Sequence, residues 1–142
     1  TAIRAGAQDG NDATIGYPQW RPLGAPASNG NGPNFTPPFP ALPSGHAGFG
    51  EVWADTLRQM LGRDNISFDF VSDEFDGTTL DNQGKPRERR TAHFSSLSEA
   101  SERNGDSRIY LGIHWKSDKT YGIEQGRKIA RFITPRIYQL IE

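Results

Sequence analysis

Apolar positions along this chain change their spacing several times, and each change marks an element. From Ser44 to Gly62, Val52, Trp53, Leu57, Met60 and Leu61 line one stripe at helical period, with Gly62 placed to stop the helix. From Asn65 to Val71 the run Ile-Ser-Phe-Asp-Phe-Val alternates, which predicts a strand. Arg87 to Arg103 carries Phe94, Leu97 and Ala100 at three-residue spacing, predicting a second helix that ends at Asn104-Gly105. Asp106 or Ser107 can then cap a third. Tyr121 to Ile141 reads as a fourth, with Ile129, Ala130, Phe132 and Ile133 apolar and Pro135 expected to kink or break it. Between the elements, Asp73 to Lys85 is acidic and turn-rich and reads as a surface loop.

Before Pro43 the periodicity disappears. Gly24-Ala25-Pro26-Ala27-Ser28-Asn29-Gly30-Asn31-Gly32-Pro33 holds neither a helix nor a central strand, and Pro37-Pro38-Phe39-Pro40 continues in extended form. Single aromatics (Tyr17, Trp20, Phe35 and Phe39) predict that this stretch is an ordered loop anchored on a scaffold. The expectation is a mainly α chain: one α-helical domain over 1–142, with a Pro/Gly-rich loop region at 1–43 and a helical core at 44–142.

Composition narrows the function classes. The 142 residues hold 16 Lys+Arg against 17 Asp+Glu, a net charge of -1 that offers no footprint for nucleic acid or an anionic membrane. No apolar run reaches the roughly 20 residues needed to span a bilayer. With no cysteine, disulfides and thiolate metal sites are excluded. Compartment is not legible; a soluble protein, secreted or periplasmic among the options, fits, as does an oligomer.

Two stretches carry candidate chemistry. Ser44-Gly45-His46 places a hydroxyl, a bare backbone amide and an imidazole at a helix start, where first-turn N–H groups are unpaired and the macrodipole favours an anion. Each has a bland alternative: an N-cap for Ser44, a satisfied helix-start histidine for His46. In the second stretch, Ser107-Arg108-Ile109-Tyr110-Leu111-Gly112-Ile113-His114-Trp115-Lys116-Ser117-Asp118, Arg108 offers a planar cationic fork and His114 a nucleophile or ligand. On a helix, Asp118 would lie one turn from His114 and accept a hydrogen bond from its imidazole. Arg108 and His114, six positions apart, are about 240° apart around a regular helix. They share a face only if the turn near Gly112 is irregular.

Together these stretches resemble two signature motifs of the type 2 phosphatidic acid phosphatase superfamily, Pro-Ser-Gly-His and Ser-Arg-x-x-x-Gly-x-His-x-x-x-Asp, at every fixed position. Within it, Trp20, Leu23 to Asn29 and Pro37 to Ala41 are similar to the run before the histidine motif in vanadium chloroperoxidase-like haloperoxidases. Asp64-Asn65-Ile66, Ser72-Asp73-Glu74 and Arg90…His93-Phe94 resemble that family's intervening segment. The gap from His46 to Ser107 is longer than expected of a compact acid phosphatase. The resemblance implies a helical bundle of the vanadium haloperoxidase/acid phosphatase type with long ordered loops.

It also implies a vanadate cofactor bound by His114 through a ring nitrogen and by Ser44, the Gly45 amide and Arg108 through its oxygens. His46 would be the acid–base residue, Asp118 an orienting group and Phe39 part of the halide site, tilting toward chloride. Hydrogen peroxide would oxidise chloride or bromide to hypohalous acid, which halogenates a small organic acceptor. The runner-up is an acid phosphatase with a phosphohistidine at His114; the third reading is an inactive fragment that needs a partner chain.

The family's first motif, a Lys followed seven residues later by Arg-Pro, is not found. Arg21-Pro22 has Thr14 at the Lys position, and Thr1-Ala2-Ile3-Arg4 looks like the segment just after that motif. The chain is therefore expected to be the C-terminal portion of the domain, short of two vanadate cations, and inactive or weakly binding alone. His93 pairs with no motif and is expected to be structural, Trp115 and Tyr110 are expected in the core, and the Asp73, Glu74 and Asp76 carboxylates lack a calcium-loop pattern.

Overall fold

The computed structural model describes residue 22 and residues 39–81 and 83–137, and within these the chain is three helices and a hairpin. Helix α1 spans Gly45–Leu61, strands β1 (Phe68–Val71) and β2 (Thr91–Phe94) pair antiparallel, and helices α2 (Leu97–Tyr110) and α3 (Lys116–Ile137) follow. The mainly α expectation holds. The extended stretch with Tyr17, Trp20 and Phe35 lies outside the described residues, apart from Pro22, which is buried.

Helix α1 begins where the sequence places it. Ser44 caps it by accepting from the Ala47 N–H at 3.4 Å, and Gly62 ends it in the left-handed region at φ 66°. Its buried face is a surprise. Ala47, Glu51, Ala54 and Asp55 face inward, while Trp53, Met60 and Leu61 of the expected core stripe are exposed. The cause is how closely α3 approaches. A Cβ on Gly122 would stand 2.5 Å from the Ser44 carbonyl, and one on Gly126 would collide with the Gly48 carbonyl. With backbones this near, only small residues fit between α1 and α3, and the large apolar side chains turn the other way.

The polar residues on that inner face are held by cations. Glu51, 1% exposed, accepts from Arg58 Nη2 at 2.6 Å, Arg127 Nε at 2.9 Å and Ser101 Oγ at 2.6 Å. Asp55 accepts from Arg58 Nη2 at 2.9 Å and Gln59 Nε2 at 3.1 Å. One buried carboxylate thereby ties all three helices, and its paired hydrogen bonds offset the cost of burying its charge.

Three sequence expectations are overturned. Residues 87–94 are not helical: Thr91 to Phe94 form β2, with Phe94 opposite Phe68 at 5.2 Å between ring centroids and Arg103 over the Phe94 ring at 4.5 Å. The Phe94–Leu97–Ala100 spacing straddles a strand end and a helix start. Helix α2 runs through Asn104-Gly105 without stopping, so no new helix is capped at Asp106 or Ser107. Gly105 serves packing instead, since a Cβ there would meet Lys119 Cγ at 2.8 Å. Helix α3 starts at Lys116 rather than Tyr121 and continues through Pro135 to Ile137, so one missing N–H does not stop it. No helix among the described residues is long and apolar enough to cross a membrane.

Candidate oxyanion site

The two motif stretches meet where α1 begins and where α2 passes to α3. The Ser44 N–H donates to the Asp118 carbonyl at 2.9 Å, joining the start of α1 to the first turn of α3 by main chain. Ser44 is buried, and its hydroxyl accepts from the Ala47 N–H, leaving its own proton free to donate. Gly45 is exposed, and a Cβ there would meet only Phe49 Cε2 at 3.9 Å, so its backbone stays open to approach. The first turn of α1 carries no acidic residue. Its unpaired N–H groups therefore meet no acidic side chain from their own turn.

Helix α2 ends at Tyr110, and Gly112 takes the left-handed turn at φ 73°. The chain then folds back so that the Ile113 and His114 N–H groups both donate to the Arg108 carbonyl, at 3.2 and 3.3 Å. This irregular turn removes the 240° separation expected on a regular helix and returns His114 to the Arg108 backbone.

Both side chains are left short of partners. Arg108 is half-buried; its Nε is buried with no hydrogen-bond partner, and no carboxylate pairs with it among the described residues. Burial pushes its pKa below the ordinary value. The His114 ring is buried, and Nδ1 lies 3.4 Å from Asp118 Oδ2, close enough for an ion pair but misaligned for a hydrogen bond. The expected Asp118–His114 hydrogen bond is thus absent. Asp118 Oδ2 accepts instead from the Trp115 N–H at 2.9 Å, the return half of a capping box at the start of α3. Asp118 holds the helix end that follows His114.

His46, at the exposed start of α1, is electrostatically part of the same group. Its pKa is lowered first by partial burial, then by the Arg108 charge and then by His114. The structure thus brings Ser44, Gly45, His46, Arg108, His114 and Asp118 together. Phe39 is 60% exposed on a bend, with no described contact to them. Trp115 and Tyr110 are 64% and 82% exposed, not core residues. His93 sits on the hairpin between Asp69 Oδ1 at 2.8 Å and Ser67 Oγ at 3.3 Å.

Sequence reasoning missed Asn104. Its Nδ2 donates to the His46 carbonyl at 2.7 Å, and its own carbonyl accepts from Ser107 Oγ at 2.7 Å. Nothing in hydrophobic period marks it, because Asn-Gly reads locally as a stop.

Chemically, a permanent cation, a buried imidazole, a hydroxyl and open helix-start amides suit an oxyanion. Among the described residues no group of three or more His, Asp or Glu is placed to hold a bare metal ion. The orphaned nitrogens of Arg108 and His114 fit an oxoanion such as vanadate, which accepts hydrogen bonds and takes a nitrogen ligand.

Comparison with known proteins points the same way. The family model of the VCPO second helical-bundle domain matches residues 1–142. Vanadium chloroperoxidase of Curvularia inaequalis is 38% identical over 138 residues, covering 80% of this chain and 23% of that protein. The crystal structure of the first bacterial vanadium-dependent iodoperoxidase superposes with a TM-score of 0.57 at 30% identity, over 76% of this chain and 23% of that one. A holo-type bacterial vanadium-dependent chloroperoxidase gives a TM-score of 0.59 at 16% identity, over 70% and 21%, and so bears on the fold alone. The chain spans less than a quarter of the length of these relatives.

Proposed function

Because the chain belongs to the VCPO second helical-bundle domain family, we propose that Ser44, Gly45, His46, Arg108 and His114 are its share of a vanadate-dependent haloperoxidase site. The reaction is oxidation of chloride or bromide by hydrogen peroxide to hypohalous acid, passed to a small organic acceptor. One observation carries this reading: among the described residues the buried Arg108 Nε and His114 Nδ1 make no hydrogen bond, His114 having only the Asp118 carboxylate at 3.4 Å, whereas the buried Glu51 is multiply bonded and the similarly unbonded Arg87 Nε belongs to a guanidinium paired with Glu74. An unpaired buried polar atom costs about 1–3 kcal/mol, a cost that ligand binding would recover.

Bound vanadate would supply Lewis-acid activation of peroxide. The chain's own residues hold and move protons around it. A ring nitrogen of His114 would hold the metal, while the Arg108 fork, the Ser44 hydroxyl and the Gly45 N–H would hold oxygens and offset their charge. His46, its pKa lowered by burial and by Arg108, is neutral at pH 7 and able to accept a proton from peroxide. Phe39 would border the halide. Arg108 is the one described arginine at the site and alone would under-neutralise a vanadate anion, so further cations would be needed to complete the set, and the exposed α1 residues Phe49, Trp53 and Met60 are available to pack against the part that supplies them.

The test is bromide and chloride oxidation with peroxide and added orthovanadate. It is run on this chain alone and on a longer protein supplying the Lys and Arg-Pro motif, with phosphate-ester hydrolysis assayed in parallel. We expect vanadate-dependent turnover from the longer protein, lost in His114→Ala, and none from 1–142 alone. Ester hydrolysis without halide oxidation would replace this reading with the phosphatase. Inactivity of both in the longer protein would leave a non-catalytic fragment.

A further inference from the structure

We infer that Asn104 is a positioning residue for His46, holding the first turn of α1 against the start of the Ser107–Asp118 segment; this rests on the haloperoxidase reading above. The first turn is tied at two places. Ser44 is fixed to α3 by its N–H on the Asp118 carbonyl, and His46 is fixed to α2 by its carbonyl on Asn104 Nδ2 at 2.7 Å. That carbonyl already accepts the helical bond from one turn along, so the amide takes its second lone pair. The main-chain carbonyl of Asn104, whatever the side chain, accepts from Ser107 Oγ, the residue before Arg108. The Asn104 side chain thus ties the backbone of the acid–base histidine to the turn of α2 that leads into the cation.

The contact is built into both helices. Gly50, one turn after His46, lies directly beneath the amide: a Cβ there would collide with Asn104 Nδ2 and stand 3.3 Å from its Cγ. Any larger residue at 50 would displace the amide from the His46 carbonyl. Asparagine is a weak helix former in mid-helix. Its place inside α2 is accounted for by this interhelical bond.

Misplacing a catalytic group by about 1 Å can cost a hundredfold in rate. The Ser44 tie does not depend on Asn104. Loss of Asn104 therefore disturbs the proton-moving histidine more than the cradle that holds the anion.

The experiment uses the full-length protein and three variants: Asn104→Ala, Asn104→Leu, and the pair Gly50→Ala with Asn104→Ala, in which the new methyl occupies the vacated space. Steady-state bromide oxidation gives kcat and the KM for peroxide, calorimetry gives orthovanadate affinity, and thermal unfolding gives Tm. The double variant should regain parental Tm and keep orthovanadate Kd within about threefold. Its kcat should stay at least about tenfold down, as expected for a displaced catalytic group. Recovery of kcat together with Tm would overturn the inference, showing a packing role only. Should the double variant not fold, Asn104→Leu, which keeps the volume and removes the donor, decides: parental kcat overturns the inference, and a selective kcat loss upholds it. A parent protein that oxidises no halide would instead defeat the underlying functional reading.

Discussion

The middle of the helix bundle and its motif end treat buried charge in opposite ways. In the middle, Glu51 is met by two arginines and a serine, and Asp55 by Arg58, Gln59 and, at 3.7 Å, Arg131. At the motif end, Arg108 and His114 are also taken from water, yet a buried nitrogen on each has no hydrogen-bond partner. Burial alone does not separate structural from functional polar groups, since both regions are buried. Hydrogen-bond satisfaction distinguishes these two regions, although it is no general rule, since Arg87 Nε is also buried and unbonded in a guanidinium that pairs with Glu74. On the proposed reading, the charges whose partners are present hold helices together and those left short await a ligand.

The sharpest break of this contrast is Glu51→Ala. Removing one member of a buried charge cluster leaves the others uncompensated, and about 3–5 kcal/mol of stability should be lost in urea unfolding. Little loss would mean that solvent, not Glu51, holds Arg58 and Arg127. Next in size is Gly126→Ala, where the new methyl meets the Gly48 carbonyl. Alanine gains about 1 kcal/mol in helix propensity. Overpacking against an immovable backbone atom costs about 1–3 kcal/mol, and the net should be a lower Tm with weakened orthovanadate binding.

Arg108→Met tests the other side. With no partner to strand, stability should stay within about 0.5 kcal/mol of the parent or rise, while orthovanadate affinity measured by calorimetry in the full-length protein falls at least tenfold, about 1.4 kcal/mol. A large loss of stability would place Arg108 with the structural arginines.

The smallest effect is on pH dependence. His46 titrates below its ordinary value of 6.5 in the folded state, so as pH falls the unfolded chain takes up this proton first. Stability from this source is intact above 6.5 and declines as the pH drops toward the folded value. Thermal unfolding between pH 7 and 5 should therefore show a shallower decline in His46→Gln than in the parent, and identical slopes would remove the downward shift that burial, and after it Arg108 and His114, impose on His46.

Much of the fold was legible because α1 announces itself locally: Ser44 and Gly62 are end signals whose chemistry works without tertiary help. The motif residues were legible for a different reason. Ser44, Gly45, His46, Arg108 and His114 stand in fixed strings whose joint occurrence is informative. What failed were several inferences from period to packing, although Leu97, Ala100 and Ala130 are buried and the alternating run holds β1. Trp53 and Met60 looked like core because apolar stripes usually face inward, but the Gly48–Gly122–Gly126 approach left room only for alanine and for carboxylates bonded to arginine. Phe94, Leu97 and Ala100 mimicked a helix across the junction of β2 and α2. The Asn104-Gly105 pair carried a turn signal that interhelical contacts overrode. Long-range backbone proximity leaves no trace in a local window.

The glycine crossing has a mechanical consequence. The Ser44 and Gly48 carbonyls lie four residues apart on α1, and the hollows that receive them, at Gly122 and Gly126, lie four residues apart on α3. Carbonyls seated in hollows with the same spacing behave as a detent rather than a sliding bearing. Sliding one helix along the other by a whole turn, about 5.4 Å, would set one carbonyl against the Cβ of Asp118 or of Ala130, where no hollow receives it. The joint is indexed to a single register, the one that keeps the Ser44 and His114 segments side by side.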